Sequence, residues 1–151
     1  MICTVLAGGL LVAVLNTVGA ARLSQYHTAN MCRAMGLAQG LWAEIAPLAY
    51  QDPNGDGSLG LETGESISVR AELNDVDDYD GLELDPVTDC NGTTLEAFIG
   101  WSVTVNVAYA DLSDPSTDAV SDSGLKRITI EVLYQDKTWT TLVVLKSEVA
   151  L

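Results

Sequence analysis

Histidine occurs once in this chain, at His27, and basic residues are scarce: 7 Lys and Arg stand against 21 Asp and Glu, for a net charge of −14. A surface this acidic repels phosphate backbones, which excludes nucleic acid as a partner, and it attracts divalent cations. With one histidine, any Ser-His-Asp or Cys-His arrangement must use His27. That residue sits between Tyr26 and Thr28 in a helical stretch and reads as a solvent-facing side chain. No set of residues presents a nucleophile, a base and an orienting group, so the chain is not expected to be an enzyme or to bind a small-molecule substrate. The three cysteines, Cys3, Cys32 and Cys90, form no CxxC pair. They read as small buried thiols, with a Cys32–Cys90 disulfide as the alternative in an oxidising compartment.

Charge is also missing locally. Residues 2–21, "ICTVLAGGLLVAVLNTVGAA", hold no charged side chain. In a helix that stretch spans about 30 Å, the thickness of a bilayer's hydrocarbon core. Leu6, Leu10, Leu11, Val14, Leu15 and Val18 cover every face, so such a helix needs lipid or other protein around it. A cleaved signal peptide is the rival reading, but the opening "MIC" lacks the basic residue that such peptides carry.

No proline interrupts the chain before Pro47, and Met31, Met35, Ala38, Leu41, Trp42 and Ile45 repeat every three or four residues. The pattern predicts one helix from about residue 2 to about residue 46, roughly 65–70 Å long, its front half projecting. Gly36 and Gly40 give small-xxx-small spacing, expected to serve helix-on-sheet packing. Beyond residue 64 the period changes to two. "ESISVRAEL" (65–73), "WSVTVNVAY" (101–109), "KRITIEVLY" (126–134) and "TWTTLVVLK" (138–146) each alternate, with Trp139, Thr141, Val143 and Leu145 as the expected inner set of the last. "QDK", residues 135–137, suits a hairpin turn. The expected architecture is α+β: a long N-terminal helix packed on a four-stranded antiparallel sheet. Residues 1–21 form its hydrophobic half, 22–50 its amphipathic half, 51–64 an acidic Gly-rich connector and 65–151 a β-rich head.

The connector "QDPNGDGSLGLET" resembles a calcium loop, with Asp52, Asn54 and Asp56 at alternate positions. An EF-hand needs a bidentate Glu at position twelve; here that residue is Thr63, and Glu62 falls one early. A second cluster, "NDVDDYDG", supplies Asp75, Asp77, Asp78 and Asp80, whose mutual repulsion water, backbone donors or a cation must relieve. The metal candidates are therefore Asp52, Asn54, Asp56, Glu62, Asp75, Asp77, Asp78 and Asp80, with Ca2+ as the ion. Convergence of the two clusters in space would strengthen that reading. Gly55, Gly57 and Gly60 spell GxGxxG without the flanking strand and helix of a dinucleotide site.

The hydrophobic opening, "LAQGLWAEI" (37–45), "NDVDDYDGLE" and "GLKRITIEV" together resemble type IV pilins and the pseudopilins of type II secretion. The resemblance runs over essentially the whole chain. It implies a structural subunit held in the bacterial inner membrane by a single pass, its head in the periplasm or an extracellular filament. It also implies that the partners are sister subunits, met through the apolar helix. The family's processing motif, a glycine and phenylalanine followed by a glutamate, is absent, and the first residues match a point inside the family's helix. The alternative function is an exported, acidic, calcium-assisted binding module that loses its first 20 residues.

Overall fold

The computed structural model describes residues 2–52, 58–62 and 64–148, with side chains from Val14 onward. Helix α1 runs Ile2–Ile45. It is followed by a four-stranded antiparallel meander: β1 (Glu83–Leu84), β2 (Trp101–Tyr109), β3 (Leu125–Tyr134) and β4 (Lys137–Ser147), in that spatial order. The chain divides into two compact units, Met1–Arg33 and Ala34–Leu151. Among the described residues, no helix is long and apolar enough to cross a membrane. Residues 2–13, most of the uncharged stretch, lie outside the described side chains.

In the first unit, every residue from Val14 to Ala29 is exposed, including Leu15 and Leu23 at 62% and 70%. In the second unit, Ala34, Ala38, Leu41 and Ile45 are buried at i, i+4, i+7 and i+11, a stripe that covers the sheet. Met35, expected in that stripe, is exposed instead. The helix stops where proline removes the next backbone donor: Ala46 still donates to Trp42 O, and Leu48 closes on Ile45 O.

The sheet's inner face is built from Trp101, Val103, Val105 and Val107 on β2, paired with Tyr134, Val132, Ile130 and Ile128 on β3. Removing one such side chain, as in Ile130→Ala, costs about 2–5 kcal/mol. Gln135 and Asp136 join β3 to β4 with φ of 50° and 60°, the pair of positive values that a type I′ hairpin requires. Two strand expectations need correction. Leu133 pairs with Thr138 and Val132 with Thr140, so Trp139 is an extra residue, a bulge. The bulge reverses the alternation: Leu142 and Val144 turn inward, while Thr141, Val143 and Leu145 are exposed. Trp139 itself stays beside Trp101, ring centroids 6.4 Å apart.

The stretch 65–73 is not a strand; it is turns and a short 3-10 helix, Arg70–Glu72. Alternation places Arg70 outward, but its guanidinium is drawn inward by a carboxylate. Nε lies 3.1 Å from Glu44 Oε2 and Nη2 3.3 Å from Oε1, while Nη1 donates to Thr88 Oγ1 at 3.0 Å. A fork held on both sides outweighs the ladder bonds of a two-residue pattern. The fourth strand of the sheet is Glu83–Leu84 instead.

Candidate metal centre

The segment after α1 is stitched to the loop 74–80 at two points. Ala49 and Asp75 form a parallel bridge, with Val76 N–H donating to Ala49 O at 3.2 Å. Further on, Gly60 N–H donates to Asp77 O at 3.0 Å. These contacts carry Glu62 from the connector to the second acidic cluster. Glu62, Asp75 and Asp78 each bring a carboxylate oxygen to within 4.8 Å of the others.

Asp75 and Asp78 are both wholly buried, and each spends one oxygen on its own loop. Asp75 Oδ1 accepts from the N–H of Asp77 at 2.7 Å and of Asp78 at 3.3 Å. Asp78 Oδ2 accepts from Asn74 N–H at 2.9 Å and Asp75 N–H at 3.2 Å. This reciprocal turn fixes both carboxylates and leaves the second oxygen of each to the cluster. Asp75 Oδ2, Asp78 Oδ1 and Glu62 Oε2 are buried and have no hydrogen-bond donor among the described residues. Glu65 stands at the rim. Its Oε2 accepts from Glu62 N–H at 2.9 Å and its Oε1 from Asn74 Nδ2 at 3.1 Å.

The electrostatic cost falls on every member. Burial first, then the Glu65, Asp75 and Asp78 carboxylates, push Glu62 up to about 7 from an ordinary 4.5. Burial and then Asp78 raise Asp75, against the easing effect of backbone N–H groups. Burial and then Glu65 raise Asp78. Crowded carboxylates out of water either share protons or share a cation. The donors are all carboxylate oxygens, which suits a hard ion such as Ca2+ or Mg2+ rather than zinc or copper.

The other candidates separate. Asp77, between the two buried aspartates, faces the other way: its Oδ1 lies 2.6 Å from Lys126 Nζ, an ion pair closed to solvent. Lys126 also donates to Tyr50 O at 2.5 Å and sits 3.8 Å from the centre of the Tyr50 ring. Asp80 caps the sheet, accepting from Val107 N–H at 2.8 Å. Asp52 contributes its backbone N–H, which helps to lower the cost of charge on Asp75. Asn54, Asp56 and the glycines Gly55 and Gly57 fall outside the described residues.

Two lysines were missed by sequence reasoning, and the signal was there. Lys126 is in phase with Ile128, Ile130 and Val132 on the inner face of β3 and pairs across the ladder with Lys146 of β4. Lys146 Nζ reaches the end of α1, donating to Ala46 O at 3.1 Å and to Leu48 O. It thus satisfies carbonyls that the helix end leaves without partners. Burial, then the Lys126 charge, lowers its pKa, with Asp75 opposing.

A second feature is a cleft of about 390 Å³ in the second unit, lined by Gly36, Gly40, Leu84, Val87 and Phe98 among others. A Cβ added at Gly36 or Gly40 would meet nothing within 4 Å. The two glycines therefore border open space and do not serve tight packing against the sheet. Cys32 and Cys90 are free thiols, and Cys32 is exposed rather than buried. No protein-family model matches this chain, and no curated protein or solved structure matches it.

Proposed function

We propose that this chain is a pilin-like structural subunit that assembles into a type IV pilus-like or type II secretion pseudopilus filament through its N-terminal helix. The single observation that carries the reading is the division of labour along α1. Residues 34–45 cover the sheet of the head with a buried stripe, whereas residues 14–29 are exposed throughout. The exposed part presents Val14, Leu15, Val18, Leu23 and Tyr26, and its residues 14–21 are the end of the uncharged stretch that begins at residue 2. Burying one such side chain against lipid or a sister helix is worth about 1.5–3 kcal/mol. In this reading the subunit waits in the bacterial inner membrane with its acidic head in the periplasm, and sister helices replace lipid on assembly.

The test is fractionation of cells expressing the full chain, followed by chemical cross-linking of the membrane fraction. The wild type is expected with membranes and in cross-linked ladders. Leu15→Asp and Val18→Asp variants are expected in the soluble fraction as monomers, with the near-ultraviolet signal of the head unchanged. A full-length wild type that is soluble and monomeric without detergent would overturn the proposal. The convergence of Glu62 with Asp75 and Asp78 favours the second reading, an exported acidic module whose binding is supported by calcium. It requires loss of the first 20 residues, which mass spectrometry of the mature protein detects.

A further inference from the structure

We infer that Glu62, Asp75 and Asp78 form a Ca2+ site that pins the connector after α1 to the head. Three independent features meet there. The first is proximity: three carboxylates from two separate segments offer oxygens within 4.8 Å of one another. Two oxygens bound to one Ca2+ at 2.3–2.6 Å can be no further apart than about 5 Å, so the spacing is that of a shared coordination sphere.

The second is orientation. The aspartate turn commits Asp75 Oδ1 and Asp78 Oδ2 to backbone donors, so that their other oxygens are held toward the cluster before any ion arrives. Those oxygens, with Glu62 Oε2, have no donor among the described residues although Asp75 and Asp78 are wholly buried. A buried carboxylate oxygen without a donor is costly, and one on each of three neighbouring side chains is not explained by a solvated turn. The third is that, among the described residues, no side-chain cation forms an ion pair with the cluster. Lys126 is spent on Asp77 and Tyr50 O, and Lys146 on the carbonyls that follow the helix. Lys146 eases Asp75 only through space.

The choice of ion follows from the donors. A set with no nitrogen or sulfur selects against transition metals. Mg2+ keeps several waters in a strict octahedron, whereas Ca2+ accepts crowded, irregular oxygen cages and takes backbone carbonyls readily. Two wholly buried ligands favour the ion that sheds water more easily. The structural consequence is local. Glu62 is the only one of the three from the connector, so occupancy ties segment 58–62 to the loop that already bonds to Ala49 and Gly60.

The experiment is calorimetric titration of the chelator-treated full-length protein, in detergent if it requires one, with CaCl2 and separately with MgCl2. Saturable Ca2+ uptake near one ion per chain, weaker Mg2+ uptake, and a loss of roughly tenfold or more in Ca2+ affinity in Glu62→Gln are expected. Glu62 is partly exposed, so that variant is expected to fold; Asp78→Asn, which keeps an oxygen for the Asn74 N–H, is the second. Hydrogen exchange at the Gly60 and Glu62 amides is expected to slow on adding Ca2+ in the wild type and not in Glu62→Gln. Absence of uptake at millimolar CaCl2, equal affinity for Mg2+, or wild-type Ca2+ affinity in both variants would each overturn the assignment. None of these results depends on whether the chain enters a filament.

Discussion

Asp77 and Asp78 are neighbours in the chain, equally closed to solvent, and they meet opposite surroundings. Asp77 faces the ammonium of Lys126, also fully buried, at 2.6 Å. Asp78 faces Glu62, Asp75 and Glu65. The short 3-10 helix Asp77–Tyr79 separates them, because successive residues on so tight a turn point about a third of a revolution apart. One residue thus becomes an internal strut between loop and sheet, and the next becomes part of an anionic pocket. Burial alone does not say what a carboxylate is for; the sign of its nearest charge does.

The comparison can be broken most forcefully from the lysine side. Lys126→Met leaves Asp77 buried without its ion-pair partner, so that keeping its charge or taking up a proton both cost free energy, and removes the donor to Tyr50 O. It is expected to cost about 3–5 kcal/mol in urea unfolding, and adding Asp77→Asn should recover much of that loss. At the neighbouring position the sign reverses. In chelator, Asp78→Asn is expected to raise stability by on the order of 1 kcal/mol, because it removes one charge from a crowded set. Adding CaCl2 should then favour the wild type over the variant. An Asp78→Asn variant that is destabilised in chelator would show that the two aspartates do the same work.

A pH series sharpens the contrast. Glu62 titrates near 7 in the folded chain and near 4.5 when unfolded. A carboxyl whose folded pKa is raised binds more protons when folded, so its contribution is present at low pH and is lost as pH rises from about 4.5 to about 7. In chelator the thermal midpoint of Glu62→Gln is therefore expected to gain on that of the wild type across this window. Millimolar CaCl2 should erase the gain. The smallest effect belongs to an acid of a third kind. Asp114 is exposed and held below the usual carboxylate range by the Ser116 hydroxyl and N–H. Asp114→Asn is expected to leave the midpoint nearly unchanged in either buffer.

Much of the scaffold was legible in the sequence. An uninterrupted helical period up to Pro47 gave α1, and strict alternation gave β2 and β3 with their inner faces. The misses have local causes. In β4 the alternation was read in the wrong phase because the bulge at Trp139 adds one residue. Segment 65–73 alternates as a strand does, yet Glu44, on the distant helix, recruits Arg70 and bends it inward. The carboxylate cluster was half visible. All three of its carboxylates were among the candidates, but the calcium-loop template discounted Glu62 as one residue early. Its neighbours in space come from the loop 74–80, and only the bridge between Ala49 and Asp75 together with the Gly60–Asp77 hydrogen bond shows that Glu62 meets the second cluster.

The most direct measurement is the thermal unfolding midpoint of the chelator-treated full-length protein near neutral pH as CaCl2 is added. Binding confined to the folded state stabilises by about 2.7 kcal/mol when the ion reaches one hundred times its dissociation constant. The midpoint should therefore climb steadily with the logarithm of calcium concentration, and in Glu62→Gln the climb should begin at higher concentration. A midpoint that does not move, or that moves equally in the wild type and in Glu62→Gln, would contradict a calcium-holding role for the three carboxylates.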